Sequence, residues 1–137
     1  MKKMYKYLLV LPLLFLTFAM HAKEGSLTSH LDSIVLGSGC FWGAEKGYEQ
    51  IDGVENAVSG YSDGFGIKPS YREITKTKNK FNKNNFAEVV MVNFNRSNLS
   101  LESILQHFFE SHDPTQLNRQ GNDIGTQYRS TILYKNN

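Results

Sequence analysis

A chain of 137 residues with 15 basic and 13 acidic side chains, a formal charge of +2 and one cysteine has room for a single small domain. So even a balance leaves no electrostatic footprint for nucleic acid. One cysteine also excludes an intramolecular disulfide, so the fold must rest on its hydrophobic core and any thiol chemistry must end on a thiol from elsewhere.

Residues 1–22 read as an export signal: Lys2, Lys3 and Lys6 precede an apolar run from Leu8 to Phe18, and Ala19-Met20-His21-Ala22 resembles a cleavage site. The run is shorter than the ~20 residues that span a bilayer, so an uncleaved membrane anchor is the lesser alternative. Residues 23–137 are expected to form one exported domain, periplasmic or secreted. Three basic residues leave with the signal, so twelve face thirteen acidic ones in the remainder, a charge of −1.

Ser33 to Leu36 reads as a buried strand, and Gly37-Ser38-Gly39 turns it into a helix from about Cys40 to Gln50, whose Ala44, Tyr48 and Ile51 make a core stripe. Asp52-Gly53 breaks the helix, and Val54 to Tyr61 is a second strand. Beyond a loop over residues 62–69, Tyr71 to Thr75 reads as a short extended piece. Residues 76–85, with four lysines and four asparagines, read as a mobile, solvated loop with no binding role.

Ala87 to Phe94 alternates as a largely buried strand, with Glu88 on the face that carries Val90, Val92 and Phe94. A carboxylate there is costly to bury ionised, so its pKa is expected to rise. Leu101, Ile104, Leu105, Phe108 and Phe109 outline an amphipathic helix capped by Asn98 or Ser100. His107 and His112 read as polar or capping groups, since no other ligand stands at metal-binding spacing. A polar segment, Asp113 to Gln127, leads to a last strand, Tyr128 to Tyr134. The order strand, helix, strand, strand, helix, strand predicts an α+β, ferredoxin-like split β-α-β sandwich, its sheet mixed or antiparallel, with helices on one face.

Cys40 stands in Gly39-Cys40-Phe41-Trp42-Gly43, at the strand-to-helix turn. An unpaired cysteine is commonly an inert core filler. A thiol at a helix N-terminus, however, meets orphan backbone N–H groups and the positive end of the dipole, which favour the reactive thiolate. Flanking glycines give access, and Phe41 and Trp42 supply an apolar wall.

That pentapeptide, Pro69-Ser70-Tyr71-Arg72-Glu73, Ala87-Glu88, His112-Asp113-Pro114-Thr115-Gln116 and the block 118–130 occur in order. Over residues 33–134 the chain closely resembles the A-type peptide methionine sulfoxide reductases. The resemblance implies reduction of the S-epimer of methionine sulfoxide, free or in oxidised proteins, with Cys40 attacking the sulfoxide sulfur and becoming a sulfenic acid. An external thiol or thioredoxin-like reductant then restores the cysteine. No cofactor or metal is implied, and a monomer is expected.

By the same resemblance Glu88 protonates the sulfoxide oxygen, Tyr71 and Tyr128 hold it, Phe41 and Trp42 line a slot for the S-methyl group, and Asp123 orients the polar network. Taken singly, Tyr71 and Tyr128 read as strand-edge aromatics and Asp123 as a turn residue; the ordered set favours the site. The chain departs from the family in its longer segment between Tyr71 and Glu88 and in Phe86, where a histidine is usual. It also lacks a second cysteine and stops at Asn137, where the family continues with helix and coil over the sheet. Direct attack by an external thiol on the sulfenic acid and a partly uncovered apolar sheet face are therefore expected. The alternative is an inactive, truncated member of the same family.

Overall fold

The computed structural model describes residues 30–135; the signal read over residues 1–22 lies outside them. Strand β1 (Leu31–Ser38) leads into helix α1 (Phe41–Glu49) and strand β2 (Val54–Ser62). A short helix α2 (Tyr71–Ile74) and a 3-10 turn (Thr77–Asn79) precede β3 (Ala87–Asn95) and helix α3 (Leu101–Ser111). The two-residue strands β4 (Arg119–Gln120) and β5 (Asp123–Ile124) form a hairpin, and a second 3-10 turn (Thr126–Tyr128) enters β6 (Ser130–Leu133).

The main sheet has the order β2-β3-β1-β6, with every neighbouring pair antiparallel. The β1-α1-β2 connection leaves a gap of one strand, and β3 fills it, which is the split β-α-β arrangement expected from the element order. Both long helices pack on one face. Tyr48 of α1 and Ile104 and Phe108 of α3 join Ile34, Leu36, Val90, Val92 and Phe94 in one buried core. On the opposite face Val58, Met91, Val35 and Leu133 lie in one register row, and Val58 and Met91 are exposed.

Several local expectations are corrected. Tyr71 to Thr75 is helical, because Ile74 and Thr75 N–H groups return to the Ser70 and Tyr71 carbonyls at 2.9 and 3.0 Å and Ile74 is buried. Tyr128 belongs to a 3-10 turn, its N–H bonded to the Gly125 carbonyl at 3.0 Å, and the strand starts only at Ser130. Phe109 faces solvent, beyond the edge of the apolar stripe. Ser100, not Asn98, caps α3: its hydroxyl accepts from the Ser103 N–H at 3.1 Å. At the other end of α3, one ring nitrogen of His112 meets the Phe108 carbonyl at 2.6 Å and the other the Ser130 hydroxyl at 2.8 Å. His107 packs its ring against Tyr48, 5.1 Å between centroids.

The segment 76–85 is the largest correction. Asn79 and Asn85 are buried, and the Asn85 amide donates to the carbonyls of Ile74 and Asn79, both at 3.1 Å. The Thr126 N–H donates to the Lys80 carbonyl at 2.8 Å, and the Thr126 hydroxyl reaches that of Asn82 at 3.1 Å. Polar side chains here close backbone bonds that no regular element provides.

Candidate active site

Cys40 is exposed and occupies the N-cap position of α1, where its sulfur caps nothing. The first N–H of the helix, on Phe41, instead donates to Glu88 Oε2 at 3.2 Å. A helix start leaves such donors unsatisfied, and here a carboxyl from the neighbouring strand accepts one. The candidate nucleophile and the candidate acid are thereby tied together through a single residue.

Glu88 is only 2% exposed, on the core side of β3. Burial raises its pKa from 4.5 to about 7; the Phe41 N–H opposes the rise and the charge of Asp123 adds to it. This is the direction expected from its place among valines. The group therefore holds its proton well above the usual carboxylate range.

Of the two glycines beside Cys40, only Gly39 is demanded by the backbone and packing. Its φ is +99°, and a Cβ there would lie 2.8 Å from Gln120 Cβ. A Cβ on Gly43 would meet nothing within 4 Å. Phe41 is half-buried, with its ring centroid 5.3 Å from that of Tyr61 and 6.3 Å from that of Trp42. Trp42 itself is 73% exposed, an open flap beside Cys40, so the inner apolar wall is made by Phe41 and Tyr61.

Tyr71, Asp123 and Tyr128 line one depression of about 440 Å³, together with Thr77, Lys80 and Gln127. Cys40 lines a second, of about 320 Å³, with Gly43, Gly47, His107 and Gln120, and Asp123 borders both. Asp123 thus stands between Cys40 and the two tyrosines, while Glu88, Phe41 and Trp42 line neither depression. Tyr128 is half-buried, and desolvation, then the charge of Glu88, raises its pKa; Asp123 and Cys40 act in the same sense. Tyr71 is 60% exposed and stands on the rim.

Three contributors escaped the sequence reading. Tyr61 is the cross-strand partner of Glu88. Lys80, from the segment read as solvated, forms part of the wall of the Tyr71 and Tyr128 depression. Arg129 fastens the turn that carries Tyr128, donating to the carbonyls of Thr126 at 2.8 Å and Asn85 at 3.1 Å and to Asp63 Oδ2 at 2.9 Å.

The family model described as peptide methionine sulfoxide reductase matches residues 32–137. The chain belongs to this family. A peptide methionine sulfoxide reductase of Corynebacterium kroppenstedtii is 50% identical over 100 residues, covering 73% of this chain and 43% of that protein. One from Natronomonas pharaonis is 48% identical over 99 residues, covering 72% and 53%. Among solved structures, methionine sulfoxide reductase A of Corynebacterium diphtheriae superposes with a TM-score of 0.69 at 36% identity, covering 78% of this chain and 48% of that one. The chain thus spans about half the length of the peptide methionine sulfoxide reductases it matches.

Proposed function

We propose that this protein reduces the S-epimer of methionine sulfoxide, in proteins or free, to methionine. Family membership supports the reaction class. The observation that carries it is the buried, proton-holding Glu88 bonded to the N–H beside Cys40. A sulfoxide oxygen leaves only when protonated, and a neutral carboxyl beside an exposed thiol at a helix start meets that need.

Cys40 attacks as the thiolate, its Sγ bonding to the sulfoxide sulfur as Glu88 gives its proton to the oxygen. The S–O bond to the substrate breaks, the oxygen ends on Sγ as a sulfenic acid, and methionine leaves. The substrate sulfur gains the two electrons that Sγ loses. A thiol then attacks the sulfenic acid, water departs with the oxygen, and a second thiol breaks the mixed disulfide to restore Cys40. Tyr128, with Tyr71 at the rim, donates to the developing oxyanion, Phe41 and Trp42 flank the S-methyl group, and Asp123 orients the polar groups.

The full chain with dithiothreitol, offered each epimer of a methionine sulfoxide peptide, is expected to consume the S-epimer only, and a Cys40→Ser variant neither. Failure of folded protein to consume the S-epimer refutes the reading. The reductant in the cell is an external thiol or thioredoxin-like dithiol, and the working unit is a monomer. Residues 1–22 act as an export signal, supported by the Lys2, Lys3, Lys6 and Leu8 to Phe18 pattern. The protein recovered from its cells should then begin at Lys23, and recovery of an intact Met1 terminus would count against export with cleavage.

A further inference from the structure

The hydroxyl of Tyr61 is buried and has no hydrogen-bond partner among the described residues. A phenol buried in this way usually finds one, because an unpaired donor bears the full cost of its lost hydration. Tyr61, near the end of β2, lies directly opposite Glu88 on β3, and its ring packs against Phe41, whose N–H is already bonded to the Glu88 carboxyl. The unpaired donor therefore stands beside a group that must turn from neutral to anionic during the proposed reaction.

From this juxtaposition we infer that Tyr61 is a positioning residue for the acid: its hydroxyl turns onto the Glu88 carboxylate once that carboxyl has given up its proton. The neutral acid needs no donor beyond the Phe41 N–H. The carboxylate gains acceptor capacity, and a phenol on the paired strand can supply a charge-assisted bond by a shift of its side chain toward it. The ionisable groups facing this pair are Asp123 on the β4-β5 hairpin, toward Glu88, and Tyr128 on the 3-10 turn and Tyr71 on α2, toward Tyr61; Cys40 at the start of α1 acts on Tyr128. Every one of them is neutral or anionic, so none offers the carboxylate a counter-cation. The Tyr61 hydroxyl is itself pushed up to about 12, chiefly by burial and then by Glu88, and so stays a donor throughout the working range.

The inference deepens the proposed function and rests on it for the step it serves, but its test does not need turnover. In full-length protein with ¹³C-labelled glutamate carboxyls and tyrosine ring carbons, Glu88 should titrate near pH 7, with the Tyr61 ring carbon bearing the hydroxyl shifting in step. Tyr61→Phe should move the Glu88 midpoint up by about one pH unit, since a donor to the charged form is lost. A Tyr61 signal that does not follow the Glu88 titration, or a Glu88 midpoint unmoved in the variant, overturns the inference. The wild-type tyrosine signal serves as the test even if the variant fails to fold.

In single-turnover assays at pH 6, Tyr61→Phe should slow methionine formation by several-fold, up to about tenfold, with substrate affinity changed less than about twofold. A variant of undiminished rate overturns the inference. An inactive wild type whose Tyr61 and Glu88 signals titrate together overturns the proposed reaction and leaves the coupling standing.

Discussion

Replacing Glu88 by glutamine should make the protein more stable at alkaline pH and nearly inactive. Burial holds the Glu88 pKa near 7 against 4.5 for the free group. Below pH 4.5 the carboxyl is protonated in the folded and unfolded chains alike, and the folded state bears no charge penalty. Between 4.5 and about 7 the unfolded chain ionises while the folded one keeps its proton, so stability falls as pH rises; above that both are ionised and the loss is complete. A shift of about 2.5 units at about 1.36 kcal/mol each comes to about 3 kcal/mol. That is a large part of the roughly 5–15 kcal/mol that holds an ordinary domain together.

Glutamine mimics the protonated acid and still offers a carbonyl to the Phe41 N–H, so Glu88→Gln should not lose this stability. Urea unfolding followed by far-ultraviolet circular dichroism, from pH 5 to pH 8, measures it. Every other ionisable group is common to both proteins and cancels in the difference. The two proteins should match at pH 5, and the variant should be the more stable at pH 8 by up to about 3 kcal/mol. Parallel pH profiles would refute the burial argument. Reductase activity in the variant should fall about 10²- to 10⁴-fold, the usual contribution of a positioned acid. The acid would then be retained at a cost in stability, as functional groups in strained or desolvated positions commonly are.

The two glycines that flank Cys40 should respond in opposite ways. Gly39→Ala meets a positive φ and the Gln120 side chain and should cost about 1–3 kcal/mol in thermal or urea unfolding, whereas Gly43→Ala, in an open helical position, should be neutral or stabilising by up to about 1 kcal/mol. Equal effects at the two positions would contradict the geometry. Asn85→Ala removes the side-chain donor from the Ile74 carbonyl and one of several from the Asn79 carbonyl, and should cost about 1–3 kcal/mol, with faster tryptic cleavage at Lys80 and Lys83; an unchanged cleavage rate would mean that the segment is held by something else.

What could be read from the sequence follows from what local pattern records. A period of two put Glu88 on the same face as Val90, Val92 and Phe94, and a period of 3.6 set the stripes of both long helices; those assignments depend only on where a side chain points. Partners depend on register. Tyr61 lies opposite Glu88 because β2 and β3 pair from Val54↔Phe94 to Ser62↔Ala87, across a connection that no periodicity describes. The asparagines failed for a different reason. Composition counts a carboxamide as solvent-seeking, yet the same group can bond two carbonyls at once, as Asn85 does, and so build a compact wall from a stretch that looks soluble. Because that wall brings Lys80 beside Tyr71 and Tyr128, the segment read as solvated also shapes the site. Lys80 therefore belongs with the groups that define the Tyr71 and Tyr128 depression, and substitutions in this segment should be judged by their hydrogen bonds before their charge.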